Sequence, residues 1–505
     1  METLVGKPPL RTRRRVLLRS DNAEYTGFAS LFALIALIAL VVIGVIERNI
    51  VQTLVFGVAF GAIGVTVVAL EIRTGPLSKT WLSAFMLVYA ARTIVVVMLH
   101  FGLNFTEHGP WWNFGDEGGD ELGFWLHSEP ALQAWQQGGM DAWTAGELLH
   151  VFRNYIGWLH LVGFIRFIGE MLGGSSTLHV KLFLCMAGAL CVPYTYGLAR
   201  SVLDEKRAKV AALLAFALPD YWFFSATIMR DIFVCAANIA LFYHVFLLLH
   251  RRFSWLRTLL IILLNFYLVR FLRADLALIN TGIIIITAAW VIAPKLQSPA
   301  VRIVLILCTI SAVVVSVLNV NVVSSTMDSF TSGRYTEASA VEERILSVKN
   351  QALEDAGSGS FGANILRTSI WIRWPSVSAL FLLQPIPPWS AMHDITKGYM
   401  LKAILLTVCA TGWYAFLIYL PSGFGSCLKH RTAGVSSLLI AASLYIVLFG
   451  LAVGVTPRWR LSVMPLLLTM IAVGVYERRI HRNAVILTVA VMAMGLVAYY
   501  VLKYL

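Results

Sequence analysis

Apolar runs of about 20 residues recur along this chain, and they constrain its fold more than any other feature. A helix needs roughly 20 apolar residues to cross a bilayer, and lipid admits backbone only as helices or closed barrels. The runs predict an all-α polytopic membrane protein with about 13 transmembrane helices. The predicted spans are residues 28–46, 51–71, 80–100, 180–200, 208–226, 232–250, 257–272, 276–293, 301–320, 399–420, 433–453, 461–476 and 483–503.

The composition and the distribution of charge agree with a membrane protein. The 505-residue chain is 58% hydrophobic and only 13% charged, whereas soluble domains carry roughly 25% charged residues. Its net charge of +13 comes from basic residues in short runs between apolar segments. Such runs orient multi-pass proteins, so we expect membrane lipids, and no nucleic acid, as partners. All six cysteines lie in or beside apolar runs, which argues against a disulfide framework.

The basic residues also predict how the chain is threaded through the membrane. Cytoplasmic connections of multi-pass proteins are enriched in Lys and Arg. With the amino terminus inside and the first apolar run retained as a span, every connection predicted to be cytoplasmic is basic. We therefore predict a multi-pass protein of the cytoplasmic (inner) membrane. The supporting residues are Arg73 and Lys79; Arg200, Lys206, Arg207 and Lys209; Arg251, Arg252 and Arg257; Lys295 and Arg302; Lys429 and Arg431; and Arg478, Arg479 and Arg482.

Two long segments, residues 101–179 and 321–398, then fall on the extracytoplasmic side. The first contains a predicted helix at residues 155–170, whose interfacial aromatic residues suit a helix lying along the membrane surface. The second contains a predicted charged helix at residues 339–357, followed by LLQPIPPW at 382–389. The predicted parts of the chain are a basic amino terminus with a transmembrane hairpin (1–79), a module with the first outer loop (80–250) and a carboxy-terminal module with the second (251–505).

Four acidic residues lie within residues 116–121 of the first outer loop, in WWNFGDEGGDELGFW. Paired carboxylates serve as general bases or bind a divalent metal, and neighbouring glycines let the backbone bend tightly. A solvated acidic loop is the alternative, but carboxylates held between tryptophans at a membrane surface are costly for solubility alone. The predicted catalytic residues are Asp116, Glu117, Asp120 and Glu121.

Several arginines occur where the positive-inside rule does not explain them. One lies at the outer end of a predicted span, in LPDYWFFSATIMRD, and others occupy outer turns. Arginine binds phosphate through two parallel N–H groups, so a lipid-linked phosphate is the predicted partner. A local ion pair, or binding to ordinary phospholipid, is the alternative. The predicted substrate-binding residues are Arg230, Asp231, Arg270, Arg273, Arg458 and Arg460.

A divalent cation, Mg²⁺ or Mn²⁺, is considered as a cofactor on the same outer face. The histidines show no HExxH spacing, so a zinc site of that type is not predicted. Carboxylate oxygens would hold the cation instead, and the predicted ligands are Asp116, Asp120 and Asp231. The predicted chemistry does not require a metal, because arginines supply the same electrostatic stabilisation.

The order of these features resembles the GT-C superfamily of membrane glycosyltransferases. Members often have Asp, three residues and Tyr in the first outer loop, and Asp120 and Phe124 match that spacing. The sequence LARSVLDEKRAKVAALLAFALP is similar to the family's next segment, and Arg230–Asp231 lies where a second acidic motif often occurs. The resemblance covers roughly residues 80–250. Two features depart from it: the acidic motif is doubled, and two spans precede the usual first helix.

The resemblance implies an inverting glycosyl transfer on the extracytoplasmic face, from a polyprenyl-phosphate-linked sugar to an envelope glycan, lipid or protein. One outer carboxylate would remove a proton from the acceptor hydroxyl, and outer arginines would stabilise the leaving phosphate. A lipid-linked polysaccharide polymerase or ligase is the nearest alternative. From other classes, a secondary transporter and a non-catalytic envelope scaffold remain open.

Overall fold

The computed structural model describes a helical protein. The described residues are 11–75, 77–104, 119–137, 156–250, 255–293, 400–430, 432–452 and 460–477, with isolated positions elsewhere, and they contain no β-strand. This agrees with the prediction of an all-α membrane protein. The helices are α1 (Arg11–Ile46), α2 (Ile50–Thr74), α3 (Thr80–Asn104), α4 (Gly119–His127), α5 (Glu129–Gln136), α6 (Ile156–Met171), α7 (Thr177–Val202), α8 (Glu205–Ala217), α9 (Pro219–Phe223), α10 (Asp231–His250), α11 (Trp255–Leu272), α12 (Ala274–Ile292), α13 (Met400–Leu417), α14 (Leu420–Lys429), α15 (Ala433–Ala452) and α16 (Met464–Glu477).

Within the described residues, 7 helical segments are long and apolar enough to cross a membrane, and each overlaps a predicted span. They are Gly27–Ile46, Ile50–Arg73, Thr80–Phe101, Thr177–Val202, Asp231–His250, Trp255–Leu272 and Lys402–Lys429. Shorter apolar helices occupy Leu276–Ile292, Ala433–Leu448 and Met464–Glu477, where spans were also predicted. The predicted spans at 301–320 and 483–503 lie outside the described residues, apart from isolated positions, so the total of about 13 stays a prediction.

The turn between α1 and α2, at Glu47–Asn49, marks one end of the helix bundle, which we name the hairpin end. α7 starts at this end, because Ser176 Oγ donates to Glu47 Oε2 at 2.9 Å. α10 runs parallel to α7 and therefore starts there too. The residue pairs that align the two helices are Phe183 with Phe233, at 4.8 Å between ring centroids, and Tyr194 with Tyr243, at 6.0 Å. The positive-inside pattern predicts that the hairpin end is extracytoplasmic.

The predicted span at residues 208–226 is not one continuous helix. α8 ends at Ala217, and the break follows from Pro219, because proline disfavours helical backbone at the residue before it. Leu218 is accordingly extended, with φ −67° and ψ 113°. α9 then covers only 5 residues, and residues 224–230 form turns before α10 begins. Irregular backbone therefore carries the chain to the hairpin end.

The predicted helix at residues 155–170 is confirmed as α6, but it does not lie free along a surface. Trp158 and Val162 are both 0% exposed. A Cβ on Gly163 would lie 2.7 Å from the Ala131 side chain of α5, so α6 and α5 pack in close contact. The apolar residues that predicted contact with lipid are thus largely covered by protein. The predicted helix at 339–357 lies outside the described residues.

Candidate functional site

The acidic motif of the first outer loop is described from α4 onward. Asp116 and Glu117 lie outside the described residues; Asp120 is on the first turn of α4, but its side chain is not described. Glu121 is 0% exposed, and its Oε1 accepts a hydrogen bond from the backbone N–H of Ile228 at 2.6 Å. This contact joins the acidic motif to the turns between α9 and α10, where sequence analysis placed the second charged motif.

Arg166 of α6 binds the turn that connects α4 to α5. Its Nη1 donates to the Trp125 carbonyl at 2.8 Å and to Ser128 Oγ at 2.9 Å, and its Nη2 forms an ion pair with Glu129. The guanidinium carbon lies 4.4 Å from the centroid of the Trp125 ring. Because carbonyls at a helix carboxyl end attract cations, Arg166 fixes the end of α4 one turn beyond Glu121.

The predicted charged motif at the start of α10 is buried and paired. Arg273 Nη1 lies 3.2 Å from Asp231 Oδ1, and Arg230 donates to the carbonyl of Leu272. All three charged side chains are buried, so the pairs tie the start of α10 to the end of α11. The local pairing considered from sequence is therefore present, although Asp231 pairs with Arg273 rather than with its neighbour. Arg270, in contrast, is exposed.

Arg460 is also buried, rather than lying in an open outer turn. Its Nη2 lies 3.5 Å from Asp220 Oδ1, and its guanidinium carbon is 4.5 Å from the centroid of the Trp413 ring. Asp220 was not singled out from sequence; its position directly after the helix-breaking Pro219 was the available signal. Arg458 lies outside the described residues.

Two further cations are buried inside the bundle. Lys181, one turn into α7, is 1% exposed and interacts electrostatically with Glu121 and Glu47. Arg92, at the midpoint of α3, is 0% exposed. Sequence analysis missed both residues, although each is a single cation inside an apolar run. That signal is readable, since charged residues inside spans are costly and usually functional.

Of the three predicted ligands of a divalent cation, only Asp231 has a described side chain, so the site stays a prediction. The described residues contain no group of three or more His, Cys, Asp or Glu side chains that could hold a metal. Asp231 is paired with Arg273, whose positive charge opposes a second cation. The side chains of the other predicted ligands, Asp116 and Asp120, are not described.

Described charges of both signs thus converge at the hairpin end: the carboxylates Glu47, Glu121 and Asp231, and the cations Lys181, Arg230 and Arg273. In comparisons with known proteins, no family model and no curated protein matches the chain.

Proposed function

We propose that the chain is a membrane glycosyltransferase whose active site lies at the hairpin end. The hydrogen bond between Glu121 and the backbone of Ile228 carries this proposal. It places α4, which begins within the acidic motif, against the turns that lead into Arg230 and Asp231. Transfer of a sugar from a lipid phosphate needs both a carboxylate base and a nearby group of cations.

The carboxylates take different roles in this proposal. Glu121 is buried and bound to backbone, so it positions α4 and is not the base. The base is then one of Asp116, Glu117 and Asp120. It removes the proton from the acceptor hydroxyl while that oxygen attacks the anomeric carbon. The bond from carbon to the phosphate oxygen breaks on the opposite face, its electrons leave with the phosphate, and the configuration inverts.

The cations stabilise the charge that develops on the leaving phosphate. Arg270 is exposed near the start of α12, and with Arg458 it is assigned direct contact with the phosphate. Arg230, Arg273 and Arg460 are buried, and Arg273 and Arg460 are paired with Asp231 and Asp220, so these three are assigned positioning roles rather than direct contact with the phosphate. A divalent cation, Mg²⁺ or Mn²⁺, is compatible with this assignment but is not needed by it.

The proposed donor is a sugar linked to an isoprenoid phosphate or diphosphate, since its tail would remain in lipid while the sugar reaches the hairpin end. The acceptor is an envelope glycan, a lipid or a protein. The proposed location is the cytoplasmic membrane, with the amino terminus inside and the reaction outside. A polymerase or ligase would use the same chemistry with a glycan as acceptor, and the length of the product distinguishes the two.

The purified protein in liposomes, incubated with radiolabelled lipid-linked sugars from its host, tests the proposal. We expect transfer by the wild type, loss of transfer in Asp116→Asn or Asp120→Asn, and reduced transfer in Arg270→Ala. Asp204→Asn is the matched control, because Asp204 caps α8 at the opposite end of the bundle and its loss should leave transfer unchanged. Absence of transfer by the wild type with every lipid fraction would contradict the proposal.

Transport is the second candidate, and one observation favours it. Secondary transporters bind their substrates where spans are interrupted within the bundle, and the interruption after α8 carries the buried pair of Asp220 and Arg460. The same liposomes distinguish the two functions. Flux of a solute that stops in Asp220→Asn, without sugar transfer, would replace the glycosyltransferase proposal with transport.

A further inference from the structure

Arg92 is a buried cation without a carboxylate partner among the described residues. It lies at the midpoint of α3, within an apolar segment long enough to cross a membrane, and is 0% exposed. The groups that interact with it electrostatically are the thiols of Cys185, Cys191 and Cys235 and the phenol of Tyr221. An uncompensated charge at this depth is costly, and such residues commonly mark a functional site.

Among the described residues, hydrogen-bond partners of the guanidinium engage one nitrogen only. Nη1 donates to the Tyr221 carbonyl and to Ser225 Oγ at 2.9 Å. Trp222 covers a face of the group, with its ring centroid 4.7 Å from the guanidinium carbon. Nε and Nη2 are buried and have no hydrogen-bond partner within the described part of the chain.

The two free nitrogens define a specific chemistry. Nε–H and one Nη2–H point in the same direction, and this edge of arginine binds two oxygens of a phosphate or carboxylate at once. Arg92 therefore differs from Arg166 and Arg460, in which Nη2 is committed to Glu129 or Asp220. Its unused edge is a two-point donor for an oxyanion.

The surrounding backbone provides a reason for the site's location. Arg92 contacts Tyr221 and Trp222 of the short helix α9 and Ser225 in the turn after it, and irregular backbone at membrane depth is tolerated where it is buried in protein or lines a cavity. Gly188 of α7 makes room for the group: an added Cβ would lie 3.1 Å from Arg92 Nη1 and 2.2 Å from Ser225 Oγ. The bundle thus packs the guanidinium of Arg92 against a break between two helices.

We propose that Arg92 is an internal oxyanion-binding site, which takes a phosphate group through Nε and Nη2 beside α9 and the turn that follows it. The site is separate from the acidic loop motif and does not depend on the proposed glycosyl transfer. The phosphate group belongs either to a lipid headgroup or to free phosphate. Both ligands would present the same phosphate oxygens to Nε and Nη2.

Binding to the purified protein in uncharged detergent tests this site. The probes are dodecyl phosphate, inorganic phosphate and dodecanoate, and the readout is the ligand-induced rise of the thermal unfolding midpoint. We expect Arg92→Gln to weaken phosphate binding by roughly tenfold to a hundredfold, as for the loss of charged hydrogen bonds. Arg92→Lys should bind at an intermediate level, since a point charge cannot span two oxygens. Arg200→Gln, on α7 beyond the site, should bind like the wild type.

The three probes distinguish the two sources of the phosphate group, and the variants show which outcomes reject the site. Binding of dodecyl phosphate alone identifies a lipid headgroup, binding of both phosphates identifies free phosphate, and a preference for dodecanoate overturns the assignment to phosphate. Equal ligand shifts in Arg92→Gln and the wild type overturn the site and leave Arg92 as a structural residue. If Arg92→Gln does not fold, phenylglyoxal modification of arginines in the wild type tests whether phosphate binds at Arg92. Protection of Arg92 by phosphate supports the site, and no protection rejects it.

Discussion

Two helices of similar hydropathy, α7 and α11, occupy opposite environments in this protein. Their apolar segments have mean hydropathies of 1.6 and 1.7, yet the apolar stretch of α7 is wholly buried whereas only 17% of that of α11 is buried. α7 contains Gly188 and Gly197, which admit close neighbours, while the sequence of α11 contains neither Gly nor Ala. In this pair, hydropathy identifies both spans but does not separate their surroundings, and the buried helix is the one that carries small side chains.

The polar residues of the two helices differ in the same way. α7 carries Lys181 and Thr195 within its length, and both are buried. The charges of α11, Arg257 and Arg270, lie near its ends, where long side chains reach the membrane surface. A helix inside the bundle can satisfy polar groups with protein partners, whereas a lipid-facing helix keeps its charges at the interfaces.

The largest effect that would test this comparison is expected at Gly188. Gly188→Leu should prevent folding, because even its Cβ would lie 2.2 Å from Ser225 Oγ and tightly packed interiors do not tolerate such overlap. Gel filtration of the detergent-solubilised protein should show aggregate only. Gly425→Leu is the matched control, since a Cβ there meets nothing within 4 Å, and it should yield folded protein. A monodisperse Gly188→Leu would mean that α7 is not tightly enclosed.

A leucine on each helix provides the next comparison. Leu184 of α7 is 0% exposed, and Leu264 of α11 is 67% exposed. Leu184→Ala should lower the free energy of unfolding by about 2–5 kcal/mol, from the lost contacts and the cavity. Leu264→Ala should change it by less than about 1 kcal/mol, since lipid fills the space. Thermal unfolding in detergent measures both, and equal losses would remove the distinction between the helices.

The sequence predicted the spans better than their arrangement. Long apolar runs, including α7 and α11, were located because crossing lipid demands continuous hydrophobicity. The break at Pro219 was missed because the apolar run continues through it, and the burial of α6 was missed because packing against α5 is a long-range property. These errors arise where neighbouring helices, rather than lipid, determine the surroundings of a residue.

For the candidate site, as for the fold, the sequence located charged residues but not their partners. Glu121 was identified in the acidic loop motif and Arg230 and Asp231 in a separate charged motif, and the structure brings Glu121 to the turns that precede the other two. Their individual partners could not be predicted, because the Arg273–Asp231 pair joins helices through contacts that a linear pattern does not record. Arg92 was passed over since a single charge has little effect on the hydropathy of a span.

The attachment of α7 at the hairpin end predicts a pH dependence. Burial raises the pKa of Glu47, but the hydrogen bond and charge of His100, with hydrogen bonds from Asn49 and Ser176, outweigh it and lower the pKa to about 2. Because the pKa of Glu47 is lower in the folded protein than in the unfolded chain, its carboxylate stabilises the fold at pH values above the unfolded pKa. This stabilisation is lost as the pH falls towards 2. The expected contribution at neutral pH is about 3 kcal/mol.

Glu47→Gln tests this dependence through unfolding midpoints measured between neutral and acidic pH. The wild type should have the higher unfolding midpoint at neutral pH. The difference in midpoint between the two proteins should shrink progressively as the pH falls below 4.5, the ordinary pKa of a glutamate. Other carboxylates titrate in both proteins, so only the difference is informative. A gap that persists unchanged at low pH would show that the charge of Glu47 does not hold α7.

The smallest expected effect concerns two polar groups that bond to their own helices. Thr195 Oγ1 in α7 donates to the Cys191 carbonyl at 2.7 Å, and Asn265 Nδ2 in α11 donates to the Ile261 carbonyl at 2.9 Å. Thr195→Val should cost roughly 0.5–1 kcal/mol, because a buried hydrogen bond is lost with little change in shape. Asn265→Leu should be neutral or slightly stabilising, because an apolar side chain suits lipid better than an amide. Opposite signs in the two unfolding midpoints would support interior and lipid-facing positions for α7 and α11, whereas losses of equal size would place Asn265 against protein.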